Sequence, residues 1–172
     1  MLGIDIVDIK DPSFQERNDR SFDLITHEQD TVLEHPHAFW LLWSAKEAVF
    51  KCKREPLNFS PKKIPIQIVE DGDNFSFRSE NIEGFFAITE EYILCICGEL
   101  SSITYEVFDD SYEYWNEGIR FLIIEYFREK GLDYHIGSDD LNLPIIEPSK
   151  QLISISHHGR FGVFTYPKSL LS

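Results

Sequence analysis

The sequence predicts an α+β fold, a largely antiparallel sheet packed against helices, on three observations. Five short strand-like runs follow one another between residues 64 and 107. Helical segments lie on either side of them, the second with apolar residues at helical spacing. A final strand pair folds around His158-Gly159.

Leu2 to Val7 reads as a strand with Ile4 and Ile6 on one side and Asp5 and Val7 on the other, because strand side chains alternate. Thr26-His27-Glu28-Gln29 has capping-box spacing and predicts the start of a short helix. Pro36 suits the first turn of a helix running to about Lys53, which Pro56 and the Asn58–Pro61 stretch terminate. The strand-like runs are Ile64–Val69, Phe75–Arg78, Gly84–Thr89, Tyr92–Cys97 and Ser102–Val107, with Asp71-Gly72-Asp73-Asn74 as a turn between the first two. Asp110 and Glu113 have capping-box spacing. Trp115, Ile119, Leu122, Ile123, Tyr126 and Phe127 then form a helical stripe that reads as core, stopped near Gly131. Leu152–Ser156 and Arg160–Tyr166 are the last two strands.

The chain has 172 residues, enough for one well-buried core, so a single domain over 1–172 is expected. A net charge of −14 disfavours nucleic-acid or anionic-membrane binding. Lys46, Lys51, Lys53, Arg54, Lys62 and Lys63 nevertheless form a basic island, which reads either as a solvated helix end or as a local anion-attracting patch. The three cysteines make no disulfide framework, and no secretory signal or spanning segment is visible. A reduced, cytoplasmic setting is the default expectation.

Three segments carry candidate chemistry. In Gly3-Ile4-Asp5-Ile6-Val7, a carboxylate between apolar neighbours calls for a partner such as a metal, unless it lies on an edge facing water. In Trp43-Ser44-Ala45-Lys46-Glu47-Ala48-Val49-Phe50-Lys51, the residues Trp43, Glu47 and Lys51 share one helix face. A surface ion pair is the plain reading; a half-buried column holding a metal at Glu47 and a phosphate at Lys51 is the other. In Ser154-Ile155-Ser156-His157, hydroxyls on one strand face and an imidazole at its end suit either phosphate oxygens or ordinary hairpin polarity. No nucleophile elbow supports a Ser-His hydrolase. Cys95 and Cys97 lack a second ligand pair for zinc, and His35, His37 and His158 read as surface histidines.

In this order the three segments resemble the 4′-phosphopantetheinyl transferase superfamily, whose signature is a Gly-Ile-Asp strand followed by Trp/Phe-Ser-x-Lys-Glu-Ala-x-x-Lys on a helix. Gly3-Ile4-Asp5 and Trp43–Lys51 match it, and Ser154–His158 resembles the Ser-x-Ser-His segment of the holo-acyl-carrier-protein synthase-like group. The departures are Lys10-Asp11 where that group carries an Arg, Cys52-Lys53-Arg54-Glu55-Pro56 in place of a Gly-rich stretch, and Val7 where two-lobed members carry a second acid. Asp8 is no direct substitute, since an odd offset turns it to the opposite face.

The resemblance implies transfer of the 4′-phosphopantetheine arm of coenzyme A to a serine of an acyl or peptidyl carrier protein, releasing 3′,5′-ADP. It implies Mg²⁺ at Asp5 and Glu47, and Asp5, Glu47 and Lys51 as catalytic residues. Lys46, Ser156 and His157 would bind coenzyme A phosphates, and Lys53 and Arg54, with Lys62 and Lys63, would face the acidic carrier. It further implies the homotrimer typical of that group, with shared sites. The alternative is a non-catalytic member that binds carrier protein or coenzyme A.

Overall fold

The computed structural model describes residues 2–12, 14, 19–31, 33–55, 58–109 and 115–171, with backbone alone at 115–117. Strand β1 (Leu2–Asp8) leads through a short helix α1 (Asp19–Ile25) to the central helix α2 (Ala38–Lys53). A single turn at Pro61–Lys63 precedes five strands: β2 (Gln67–Asp71), β3 (Asn74–Ser79), β4 (Ile82–Ile88), β5 (Tyr92–Gly98) and β6 (Ile103–Asp109). Helix α3 (Trp115–Glu129) follows. The chain then forms β7 (His135–Ser138), β8 (Pro144–Glu147), β9 (Gln151–Leu152), β10 (Ser154–His158) and β11 (Phe161–Pro167), and closes with a turn at Lys168–Leu171.

The strands form a five-stranded sheet in the order β1-β5-β4-β3-β2 and two three-stranded sheets, β10-β11-β6 and β7-β8-β9. All described pairings are antiparallel. The fold is therefore the expected α+β class with largely antiparallel sheets.

Three apolar layers hold these elements in place. Helix α2 packs Leu41, Ala45, Ala48 and Cys52 against one face of the large sheet, on Val7, Cys95 and Cys97. On the opposite face Ile4, Ile6, Leu94 and Ile96 meet Phe161 and Val163 of the second sheet. That sheet's outer residues, Phe164 and Tyr166, are covered by Ile119, Ile123 and Phe127 of α3. Strand β1 is thus buried throughout although it is an edge strand, with its even and odd residues committed to different layers.

Gly3 sets the contact between β1 and α2. A Cβ there would lie 2.0 Å from the Ala48 carbonyl oxygen and 2.8 Å from the Cys52 Cβ, so only glycine lets the helix approach this closely. That approach carries the helix face bearing Glu47 and Lys51 down onto Asp5. Helix α3 stops at Gly131, whose φ of +77° reverses the chain while the Leu132 N–H closes onto the Phe127 carbonyl at 3.0 Å.

Some expected elements differ. The helix expected to start at Thr26 instead ends there: α1 covers Asp19–Ile25, and the Thr26 hydroxyl bonds back to the Phe22 carbonyl at 2.7 Å. The turn that follows belongs to Asp30, whose carboxylate takes the His27 and Ile66 N–H groups, each at 2.7 Å. β2 begins at Gln67 rather than Ile64, because the Ile64 N–H is spent on the Pro61 carbonyl. β7 and β8 lie in a polar stretch with no strand pattern of its own. The Asp110–Glu113 cap lies outside the described residues.

Candidate functional site

A cleft of about 370 Å³ opens between the end of β1, α2 and β10, lined by Asp5, Ile6, Val7, Trp40, Trp43, Glu47, Lys51 and residues 155–158. Each element delivers its groups by simple periodicity. β1 turns Asp5 toward α2, the i, i+4, i+8 column of α2 supplies Trp43, Glu47 and Lys51, and β10 supplies Ser156 and His157.

Lys51 is the hub. Its ammonium donates to Asp5 Oδ1 at 2.9 Å, to the Ile4 carbonyl at 3.1 Å and to Ser156 Oγ at 3.1 Å, and lies 3.9 Å from Glu47 Oε2. Ser156 in turn donates to Asp5 Oδ1 at 2.7 Å. Both partners of Asp5 fall on Oδ1; Oδ2 carries no hydrogen bond among the described residues. One cation therefore serves two carboxylates. Burial, reinforced by the Asp5 charge and opposed by Lys51, pushes the Glu47 carboxyl above its ordinary pKa. Partial burial, then Lys51 and His158, hold the His157 imidazole below its ordinary value against the pull of Asp5.

The remaining candidates divide. Lys46 is not brought to the cleft, contrary to the expectation that it contacts substrate. It points to the other side of α2, with its side chain wholly inaccessible, 2.7 Å from the equally buried Asp30 and bonded to the Pro61 and Ile64 carbonyls. Burial lowers its pKa, with Asp30 pulling the other way. Lys53 and Arg54 are already paired, with Glu80 at 3.1 Å and Asp139 at 2.6 Å. Arg54 also takes the left-handed position at the end of α2 (φ 51°), where glycine is the usual residue. Lys62 and Lys63 are exposed on their turn.

Asp8, which strand alternation sets apart from Asp5, pairs with Arg160, a residue with no sequence motif of its own, and His158 is no plain surface histidine. Asp8, 1% exposed, accepts from the Arg160 backbone N–H at 3.0 Å and from its Nε at 3.3 Å, while the Asp8 N–H donates to His158 Nδ1 at 3.1 Å. The spacing Ser154-x-Ser156-x-His158, one strand face, is the sequence signal that could have found this. All these groups come from one chain; no second copy is needed to bring Ser156 to Asp5, where the resemblance implied sites shared between subunits.

Among the described residues no three His, Cys, Asp or Glu side chains gather into a metal cluster. Cys52, Cys95 and Cys97 are buried free thiols. No described helix is long and apolar enough to cross a membrane.

Fold and cleft together define an α+β protein whose cleft gathers Asp5, Glu47 and Lys51. Residues 1–97 match the family model of the 4'-phosphopantetheinyl transferase superfamily, more than half of the chain, and the protein belongs to that superfamily. Membership indicates transferase activity and implies coenzyme A and a carrier protein as partners. The match covers β1, α2 and the large sheet but not β10, whose Ser156 and His157 line the cleft beside Asp5. Comparison with curated proteins and with solved structures finds no match.

Proposed function

We propose that the protein transfers the 4′-phosphopantetheine arm of coenzyme A to a serine of an acyl or peptidyl carrier protein, as a holo-carrier-protein synthase. The observation that carries this reading is the position of the Lys51 ammonium, within 4 Å of both Asp5 and Glu47 in a cleft that Ser156 and His157 also line.

The donor set fits a magnesium ion. Asp5 and Glu47 are hard oxygen ligands, Asp5 Oδ2 is uncommitted among the described residues, and Mg²⁺ is commonly held by one or two carboxylates with substrate phosphates and water completing its shell. Asp5 and Glu47 would hold it, and when bound it supplies charge neutralisation on the coenzyme A pyrophosphate.

The chain's own residues do the rest. Lys51 neutralises negative charge on the departing 3′,5′-ADP. The Ser156 hydroxyl, committed to Asp5 and Lys51, orders both and is not a nucleophile. His157, its pKa lowered, is neutral near pH 7 and offers a hydrogen bond to a phosphate oxygen. The carrier serine oxygen bonds to the β-phosphorus, the anhydride P–O bond breaks, and the serine proton passes to a base. Glu47 is the protein's candidate for that base. Docking of an acidic carrier falls to Lys62 and Lys63, since Lys53 and Arg54 are engaged within the chain.

Incubation with Mg²⁺, coenzyme A and a panel of apo carrier proteins, read by mass spectrometry, tests the reading. Arm addition that Asp5→Ala and Glu47→Ala each abolish is the expected result. Coenzyme A binding with no modification of any carrier in a panel that includes the cognate one would reject the transferase.

A further inference from the structure

Strands β1 and β10 are both edges, β1 of the five-stranded sheet and β10 of the three-stranded one. Two edges this close would ordinarily join by backbone hydrogen bonds at about 4.8 Å. Here they belong to separate sheets, and side chains span the gap. All three bridging side chains come from one face of β10. Ser154 Oγ accepts the Ile4 N–H at 3.2 Å, Ser156 Oγ donates to Asp5 at 2.7 Å, and His158 Nδ1 accepts the Asp8 N–H at 3.1 Å. The cleft opens between the last two bridges, beside Ile6 and Val7.

The third bridge is the most heavily supported. Asp8, whose N–H it uses, grips the following turn through the Arg160 N–H and Nε and is itself tied to the Lys10 N–H at 2.9 Å. The turn sits directly on this carboxylate: a Cβ on Gly159 would be 2.5 Å from Asp8 Oδ2. The ring of Trp40, another cleft residue, lies 6.2 Å from the His158 ring.

We infer that His158 is a positioning residue: its Nδ1, bonded to the Asp8 amide, holds β10 at side-chain distance from β1 and so sets the width of the cleft and the placement of Ser156 and His157. It acts through those groups, not by contact with the reacting atoms. The functional part of this inference rests on the transferase reading; the bridge itself does not.

Two variants test it. His158→Ala removes the acceptor, while His158→Asn returns an oxygen near the Nδ1 position. Loss of one such hydrogen bond weakens placement by up to about tenfold. The expected result for His158→Ala is a KM for coenzyme A raised about tenfold with kcat changed less than about threefold, and His158→Asn recovers most of the KM. If His158→Asn is as impaired as His158→Ala, or if His158→Ala chiefly loses kcat, the positioning role is overturned. Amide hydrogen exchange at Asp8 in the free protein gives an independent readout. It accelerates about tenfold in His158→Ala and returns toward wild type in His158→Asn. Unchanged protection in His158→Ala overturns the bridge. A wild-type protein that bound no coenzyme A by calorimetry would overturn the transferase reading, and Asp8 exchange would still decide the bridge.

Discussion

Two lysines five residues apart on α2 each pair with an aspartate, and their surroundings make them different objects. The Lys46 and Asp30 side chains are wholly inaccessible and 2.7 Å apart, and two carbonyls complete the ammonium's partners. Lys51 and Asp5 meet at 2.9 Å but remain 25% and 9% accessible, open to the cleft, with Glu47 as a second carboxylate. Five residues along a helix is a rotation of about 140°, enough to send one lysine inward beneath the turn at residues 61–64 and the other outward to the cleft. The first pair closes a structure. The second is left one positive charge short, and that shortage is what a cation would fill.

The largest effect that would break this contrast is at Lys46. Lys46→Met strands the Asp30 carboxylate in the interior and costs about 3–5 kcal/mol in denaturant unfolding, while whatever remains folded keeps its KM for coenzyme A. A Lys46 variant of native stability with a raised KM would reverse the assignment. At Lys51 the pattern inverts. Lys51→Met lowers kcat/KM for arm transfer about 10²–10³-fold, on the scale of losing one electrostatic donor, with a smaller loss of stability than Lys46→Met because the pair is open to the cleft.

Glu47 sharpens the comparison through pH. Its pKa is raised in the fold, so the native state binds the proton more tightly than the unfolded chain does. Stability from this group therefore falls as pH rises from the ordinary glutamate value through the raised one, and Glu47 costs stability at neutral pH. Glu47→Gln is expected to unfold at a higher temperature at pH 7 while losing transfer. The gain shrinks as the pH falls through the raised value toward the ordinary glutamate value. A destabilised Glu47→Gln would show that Lys51 pairing outweighs burial. The smallest effect is at the docking face: Lys62→Glu with Lys63→Glu raises the KM for carrier a few-fold and leaves that for coenzyme A unchanged.

The sequence alone determined the strand alternation that separates Asp5 from Ile4 and Ile6, the Trp43-Glu47-Lys51 column and the antiparallel α+β class. Each is a short-range consequence of helical or strand periodicity. It favoured Lys51 over Lys46 by the face shared with Glu47 yet kept both as ligand-binding candidates, since spacing gives a direction around α2 but not what lies in that direction. It did not anticipate α1 or the strands of residues 135–147, where packing and the Asp30 carboxylate override weak local signals. The tertiary structure decided that Ser156 reaches an aspartate 151 positions away in the same chain, that Arg54 and Lys53 are already paired, and that Asp8 and His158 tie the last hairpin to the first strand. Such long-range pairings depend on how two sheets stack, and stacking is set by the summed burial of many apolar residues in three layers, which no local pattern of charges records.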